Sequence, residues 1–194
     1  MRQASLAVAR LYSGPLLSIL LLGTIGFSWL FNYSSLPFSN PELLKLSGGE
    51  GLLDLLPFYT AEKAFTALEH YGRAGRELYV RYLVADFIFI PFYSLGLALL
   101  MTRTVRAVWS DTDSWLWLNL LPFGIALFDI AENLFILAML NLYPNTNVVL
   151  GTLSGFATLS KTLLTLTTFL CLAYGGLILF LRRVGSARRT TSKP

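Results

Sequence analysis

Apolar and polar residues alternate along this chain on the scale of whole helices rather than of single turns. Long apolar runs stand near residues 11–31, 79–101, 117–142 and 153–181, separated by short polar connections and one longer irregular stretch. Each run is long enough, at about 1.5 Å per residue, to cross a bilayer's hydrocarbon core as one α-helix. The pattern predicts an all-α fold: an integral membrane four-helix bundle, forming one domain over 1–181 with a basic tail at 182–194.

Asn32 to Thr60 is irregular, with Pro37, Pro41, Pro57 and the turn Gly48-Gly49-Glu50-Gly51. Its leucines make it too apolar for a free linker, so it is expected along the membrane interface or over the bundle. Thr60 then reads as an N-cap. Behind it Phe65, Leu68 and Tyr71 share one face of a short amphipathic interfacial helix between spans 1 and 2. Gly72 and Gly75 are expected to end that helix, with the next starting near Glu77. Pro91 predicts a kink in the second span.

Composition agrees with this layout: 55% of the 194 residues are hydrophobic and 13% charged. A net charge of +4 with bases at the ends of apolar runs is no nucleic-acid footprint. The first apolar run is long, lacks an A-x-A site and precedes further spans, which predicts a retained helix rather than a cleaved signal. Arg2, Arg10, Arg103, Arg106, Arg182, Arg183, Arg188, Arg189 and Lys193 mark the two ends and the second connection, where Asp111 and Asp113 also lie. Both termini are therefore expected to face the cytoplasm. The single Cys171 and single His70 exclude a disulfide, a thiolate cluster and multi-histidine metal centres. No cofactor is implied.

The candidate chemistry lies inside the third run, at Asp129-Ile130-Ala131-Glu132-Asn133. Spacings of three and four place Asp129, Glu132 and Asn133 on one helical face. Ionisable groups at membrane depth are costly, so they pair inside the protein or serve a function. Asp86 and Tyr93 share a face of the second span with Tyr79 and Tyr82. Ser154, Thr158, Lys161, Thr165 and Thr168 form a polar stripe on the fourth. Counting about 1.5 Å per residue, Asp86, Glu132 and Lys161 reach similar depth in the outer half, with Asp129 below. Three carboxylates would then face one ammonium, which calls for a protonated acid or an added cation.

Three roles fit this cluster. It can bind, or help to transport, a small lipid-like ligand or a proton, with Asp86, Tyr93, Asp129, Glu132, Asn133 and Lys161 lining the site. Arg76 would then take an anionic group at the membrane edge, against the alternative of snorkelling to the surface. Four spans without an internal repeat would need a homo-oligomer for transport. Alternatively, Asp129 and Glu132 are catalytic candidates of an acid–base enzyme acting on a lipid. The third role is structural, with polar pairs fixing which helices touch. A metal site from Asp86, Asp129, Glu132 and Asn133 would have oxygen ligands but no loop ligands, so none is assigned.

The residues Gly72-Arg73-Ala74-Gly75-Arg76-Glu77-Leu78-Tyr79, then Asp86, Pro91, Tyr93 and Asp129-Ile130-Ala131-Glu132-Asn133, carry a resemblance. Over about residues 57–165 the chain resembles a group of uncharacterised four-span membrane proteins. These share a Gly-Arg-x-x-Tyr start to the second helix and an Asp-x-x-Glu-Asn third helix. The resemblance implies the four-span topology and groups Asp86, Asp129, Glu132, Asn133 and Lys161 as a set. It implies no activity. The four-span sterol-isomerase type of fold is similar in architecture only.

Overall fold

The computed structural model describes residues 1–109 and 113–191. Asp111 and Lys193 lie outside these, as do the side chains of Asp113, Arg188 and Arg189. The described residues are helical with no strand. They form α1 (Arg2–Arg10), α2 (Gly14–Tyr33), α3 (Asn40–Leu46), α4 (Ala61–His70), α5 (Gly72–Val108), α6 (Leu121–Leu142) and α7 (Val148–Thr191). Short 3-10 segments occupy Leu53–Leu55 and Asp113–Leu120. Four helical stretches, Gly14–Tyr33, Gly72–Val108, Ser114–Leu142 and Val148–Gly185, are long and apolar enough to cross a membrane.

Local chemistry sets the boundaries. The first long helix starts at Gly14 rather than Leu11, because Ser13 Oγ caps it by accepting the Leu16 amide at 3.3 Å and Pro15 suits the first turn. The residues before it make the separate helix α1, which packs on the 3-10 segment Asp113–Leu120 and on α5. Asn119 ties this corner, its Nδ2 donating to the Ser5 carbonyl at 3.0 Å and to Thr102 Oγ1 at 3.1 Å.

The irregular stretch packs over the helices. Pro41 opens α3, Gly48 and Gly49 turn the chain with φ of 71° and 110°, and Leu43, Leu52 and Leu53 are buried. Thr60 caps α4 as expected, its Oγ1 accepting the Lys63 amide at 3.2 Å. Ala64, Ala67 and Leu68 are buried, and α4 leans on α7. Glycine is required there. A Cβ on Gly151 would lie 2.8 Å from Ala61 Cα, and one on Gly155 would meet the Tyr59 carbonyl.

α5 begins at Gly72, one residue after the α4 C-cap, and not near Glu77. Gly72 takes a left-handed φ of 57°, which ends α4 and lets α5 start without a linker. Gly75 is helical, its amide donating to the Tyr71 carbonyl at 3.0 Å, and it does not break α5. Pro91 lies within the continuous helix α5.

α7 begins at Val148, where Asn147 Oδ1 accepts the Leu150 amide at 3.2 Å, five residues before the expected start. It continues through the expected tail to Thr191. α6 packs most extensively on α7, α5 on α6, and α2 on α5, whereas α2 and α7 scarcely touch.

Candidate functional site

The polar residues of the long helices form a connected network. On α6, Asp129, Glu132 and Asn133 project from one face, and all three are buried. Lys161 of α7 reaches two of them: its Nζ is 3.0 Å from Asp129 Oδ1 and 2.5 Å from Glu132 Oε2. Tyr93 of α5 donates to Asp129 Oδ2 at 2.7 Å. Asn133 Nδ2 donates to Asp86 Oδ2 at 2.7 Å.

The expected meeting of Asp86 with Lys161 is absent. The side chain of Asp86 is paired with the amide of Asn133, and among the described residues no cation stands within ion-pair distance of it. Glu132 is the most enclosed acid, with 0% exposure against 5% for Asp86 and 7% for Asp129. Besides its ion pair with Lys161, it accepts hydrogen bonds from Thr158 Oγ1 at 2.5 Å and from the Tyr59 hydroxyl at 3.4 Å. The Tyr59 and Ser154 hydroxyls share a hydrogen bond of 2.6 Å. Burial, and then the neighbouring Glu132 carboxylate, push the Tyr59 phenol well above its ordinary range, which keeps it a proton donor.

Asp54 joins this site from the irregular stretch, and sequence reasoning passed it over. Tyr79 and Tyr82 of α5 donate to its Oδ1 and Oδ2, each at 2.8 Å, and its carbonyl accepts Lys161 Nζ at 3.4 Å. Tyr79 and Tyr82 are buried, and their hydroxyls hold this loop. A signal was present: Asp54 is the lone charge in Leu52-Leu53-Asp54-Leu55-Leu56. A carboxylate amid leucines needs a partner as much in a loop as in a helix.

Arg76 stands apart from this network. Its Nη1 donates to the Leu68 carbonyl at 2.9 Å, capping the end of α4, and its guanidinium lies 3.9 Å from the centre of the Tyr143 ring. A guanidinium between an open helix end and an aromatic face has a structural use, which the sequence alone did not reveal.

A cavity of about 700 Å³ opens beside the network, between α2, α5, α6, α7 and the loop at Asp54. Asp54, Asp86, Tyr93, Asp129 and Lys161 line it, and Glu132 and Asn133 lie behind that wall. The rest of the wall is largely aliphatic and aromatic, with Thr24, Ser28 and Asn32 contributed by α2. Among the described residues, no group of three histidine, cysteine or acidic side chains could hold a metal ion. The arrangement suits an amphipathic molecule, with an apolar body along the helices and a polar end at the acids.

Comparison with family models, with curated proteins and with solved structures found no match to this chain.

Proposed function

We propose that this is an integral membrane protein that binds a small lipid-like molecule in the cavity between α2, α5, α6 and α7. One observation carries the reading. A mostly apolar cavity of about 700 Å³, in the size range of small-molecule sites, ends on Asp86, Asp129, Tyr93 and Lys161. Membrane insertion is supported by the four long apolar helices, whose outward faces carry exposed residues such as Leu127, Leu134, Phe156 and Phe169.

Both ends face the cytoplasm in this reading. Arg106 donates to the Ala9 carbonyl at 3.4 Å and Arg182 to the Val108 carbonyl at 2.9 Å, which gathers basic segments at one end of the helices. Glu132 and Asn133 act as support, holding Lys161 and Asp86 in position from behind.

Native mass spectrometry of the purified protein beside Thr165→Trp tests the reading, because Thr165 lines the cavity and a large ring there would fill it. A co-purifying amphiphile in the wild type, reduced in the variant, is expected. Equal occupancy in both, or none in either, would count against the cavity as the binding site.

A second reading is an acid–base enzyme acting on a lipid. The Tyr93 hydroxyl, Asp129 carboxylate and Lys161 ammonium form one chain of contacts at the cavity wall, which favours it. Conversion of a bound lipid to a new mass would separate it from simple binding.

A further inference from the structure

We infer that the ligand is a cationic amphiphile, a hydrocarbon-tailed amine that enters sideways between α2 and α7 and seats its ammonium at Asp86. This rests on the proposed cavity and adds the charge of its occupant and its route.

The charge follows from the partners of each acid. Lys161 is ion-paired with Asp129 and Glu132 and also reaches the Asp54 main-chain carbonyl at 3.4 Å. The other two acids, Asp54 and Asp86, have only neutral donors: Tyr79 and Tyr82 on the first, Asn133 on the second. Asp86 is 5% exposed, and one of its oxygens accepts no hydrogen bond among the described residues. Both acids line the cavity. A carboxyl group in a low-dielectric wall without a counter-ion is either protonated or ionised against an added cation, and an occupant that brings an ammonium supplies that cation.

The surrounding rings suit the same ion. Phe31, Tyr82, Phe89 and Tyr93 line the cavity alongside Asp86. Tyr82 and Tyr93 turn their hydroxyls to Asp54 and Asp129, so these phenols neutralise no charge on Asp86. Aromatic faces attract an organic ammonium further, whereas an anionic head would be repelled by the wall. A neutral alcohol would gain no ion pair there.

The route follows from packing. α2 and α7 both contribute to the cavity wall yet scarcely touch one another. Leu166 and Phe169, on the α7 side, are exposed as well as lining it. In a bilayer that side faces lipid, so a tailed molecule reaches the cavity without leaving the hydrocarbon phase.

The test uses the full chain in zwitterionic lipid nanodiscs, titrated with hexadecylamine, hexadecanol and hexadecanoate and read by native mass spectrometry against empty nanodiscs. The amine is expected to bind at least about tenfold tighter than either other probe. Asp86→Asn should remove that preference, Asp86→Glu should keep it, and Thr165→Trp should weaken all bound probes together. The wild-type ranking alone decides the charge, so a variant that fails to fold leaves the result standing. If the alcohol or acid binds as well as the amine, the cationic assignment is wrong and the cavity reading survives. If no probe binds above empty nanodiscs, both fall.

Discussion

Lys161 Nζ stands between two carboxylates of one helix, 3.0 Å from Asp129 Oδ1 and 2.5 Å from Glu132 Oε2. Asp129 and Glu132 are three residues apart on α6, so a single ammonium from α7 spans the pair. Removing one partner of a buried ion group costs about 3–5 kcal/mol, because the other is left uncompensated. Lys161→Met is therefore expected to lower the thermal unfolding temperature in detergent markedly. Adding Asp129→Asn and Glu132→Gln to it should restore most of the loss. A single variant as stable as wild type would mean that the ion group does not hold α6 to α7.

Gly155 allows the Tyr59 carbonyl to lie against α7, and a backbone atom at that position has no room to yield. Gly155→Ala should destabilise by about 1–3 kcal/mol, the usual cost of overpacking. Gly176→Ala is the control. A Cβ there meets nothing within 4 Å, and alanine favours helix by up to about 1 kcal/mol. Equal unfolding temperatures for the two variants would contradict the close approach.

The loop at Asp54 hangs on two phenols. Hydrogen bonds to a charged group contribute about 1.5–3 kcal/mol each. Tyr79→Phe/Tyr82→Phe should accordingly speed amide exchange across residues 47–59 while leaving α6 protected. Tyr79 also accepts the Leu53 amide at 3.0 Å, so Tyr79→Phe alone should have the larger effect of the two single changes. Unchanged exchange in the double variant would show that the leucine contacts alone hold the loop.

Arg76 offers a separation of structure from binding. Arg76→Lys keeps the charge but loses the flat guanidinium that caps α4 and stacks on Tyr143. Stability should fall by about 1 kcal/mol, with occupancy of the cavity unchanged. Loss of bound amphiphile in this variant would bring Arg76 back as a ligand residue.

Orientation is open to direct labelling. In a Cys171→Ala background, Gln3→Cys should react with an impermeant thiol reagent from the cytoplasmic side and Glu62→Cys from the opposite side. Both native side chains are exposed. Labelling of both from one side would overturn the four-span topology.

Helix ends show how far local pattern carries. Thr60 before Ala61-Glu62-Lys63 announced the α4 cap, because a cap is settled within one turn. The α5 start is not legible locally, because Gly72 and Gly75 look alike in sequence. In the structure Gly75 is helical, its amide donating to the Tyr71 carbonyl at 3.0 Å, while Gly72 makes the turn. The α7 start lies five residues before the apolar run at 153–181, because Asn147 caps the helix within one turn while the apolar pattern begins later.

The four long apolar helices and the shared face of Asp129, Glu132 and Asn133 are determined by the sequence itself, since helical periodicity and apolar length need no knowledge of neighbours. Partner choice is different in kind. Lys161 could be matched to acids by depth, but which acids it reaches depends on how α6 and α7 rotate against one another. Packing turned Lys161 to Asp129 and Glu132, left Asp86 with the amide of Asn133, and brought Asp54 in from a loop. Tertiary structure alone decided these, because the distances between side chains on separate segments follow from the docking of whole helices and not from their spacing along the chain.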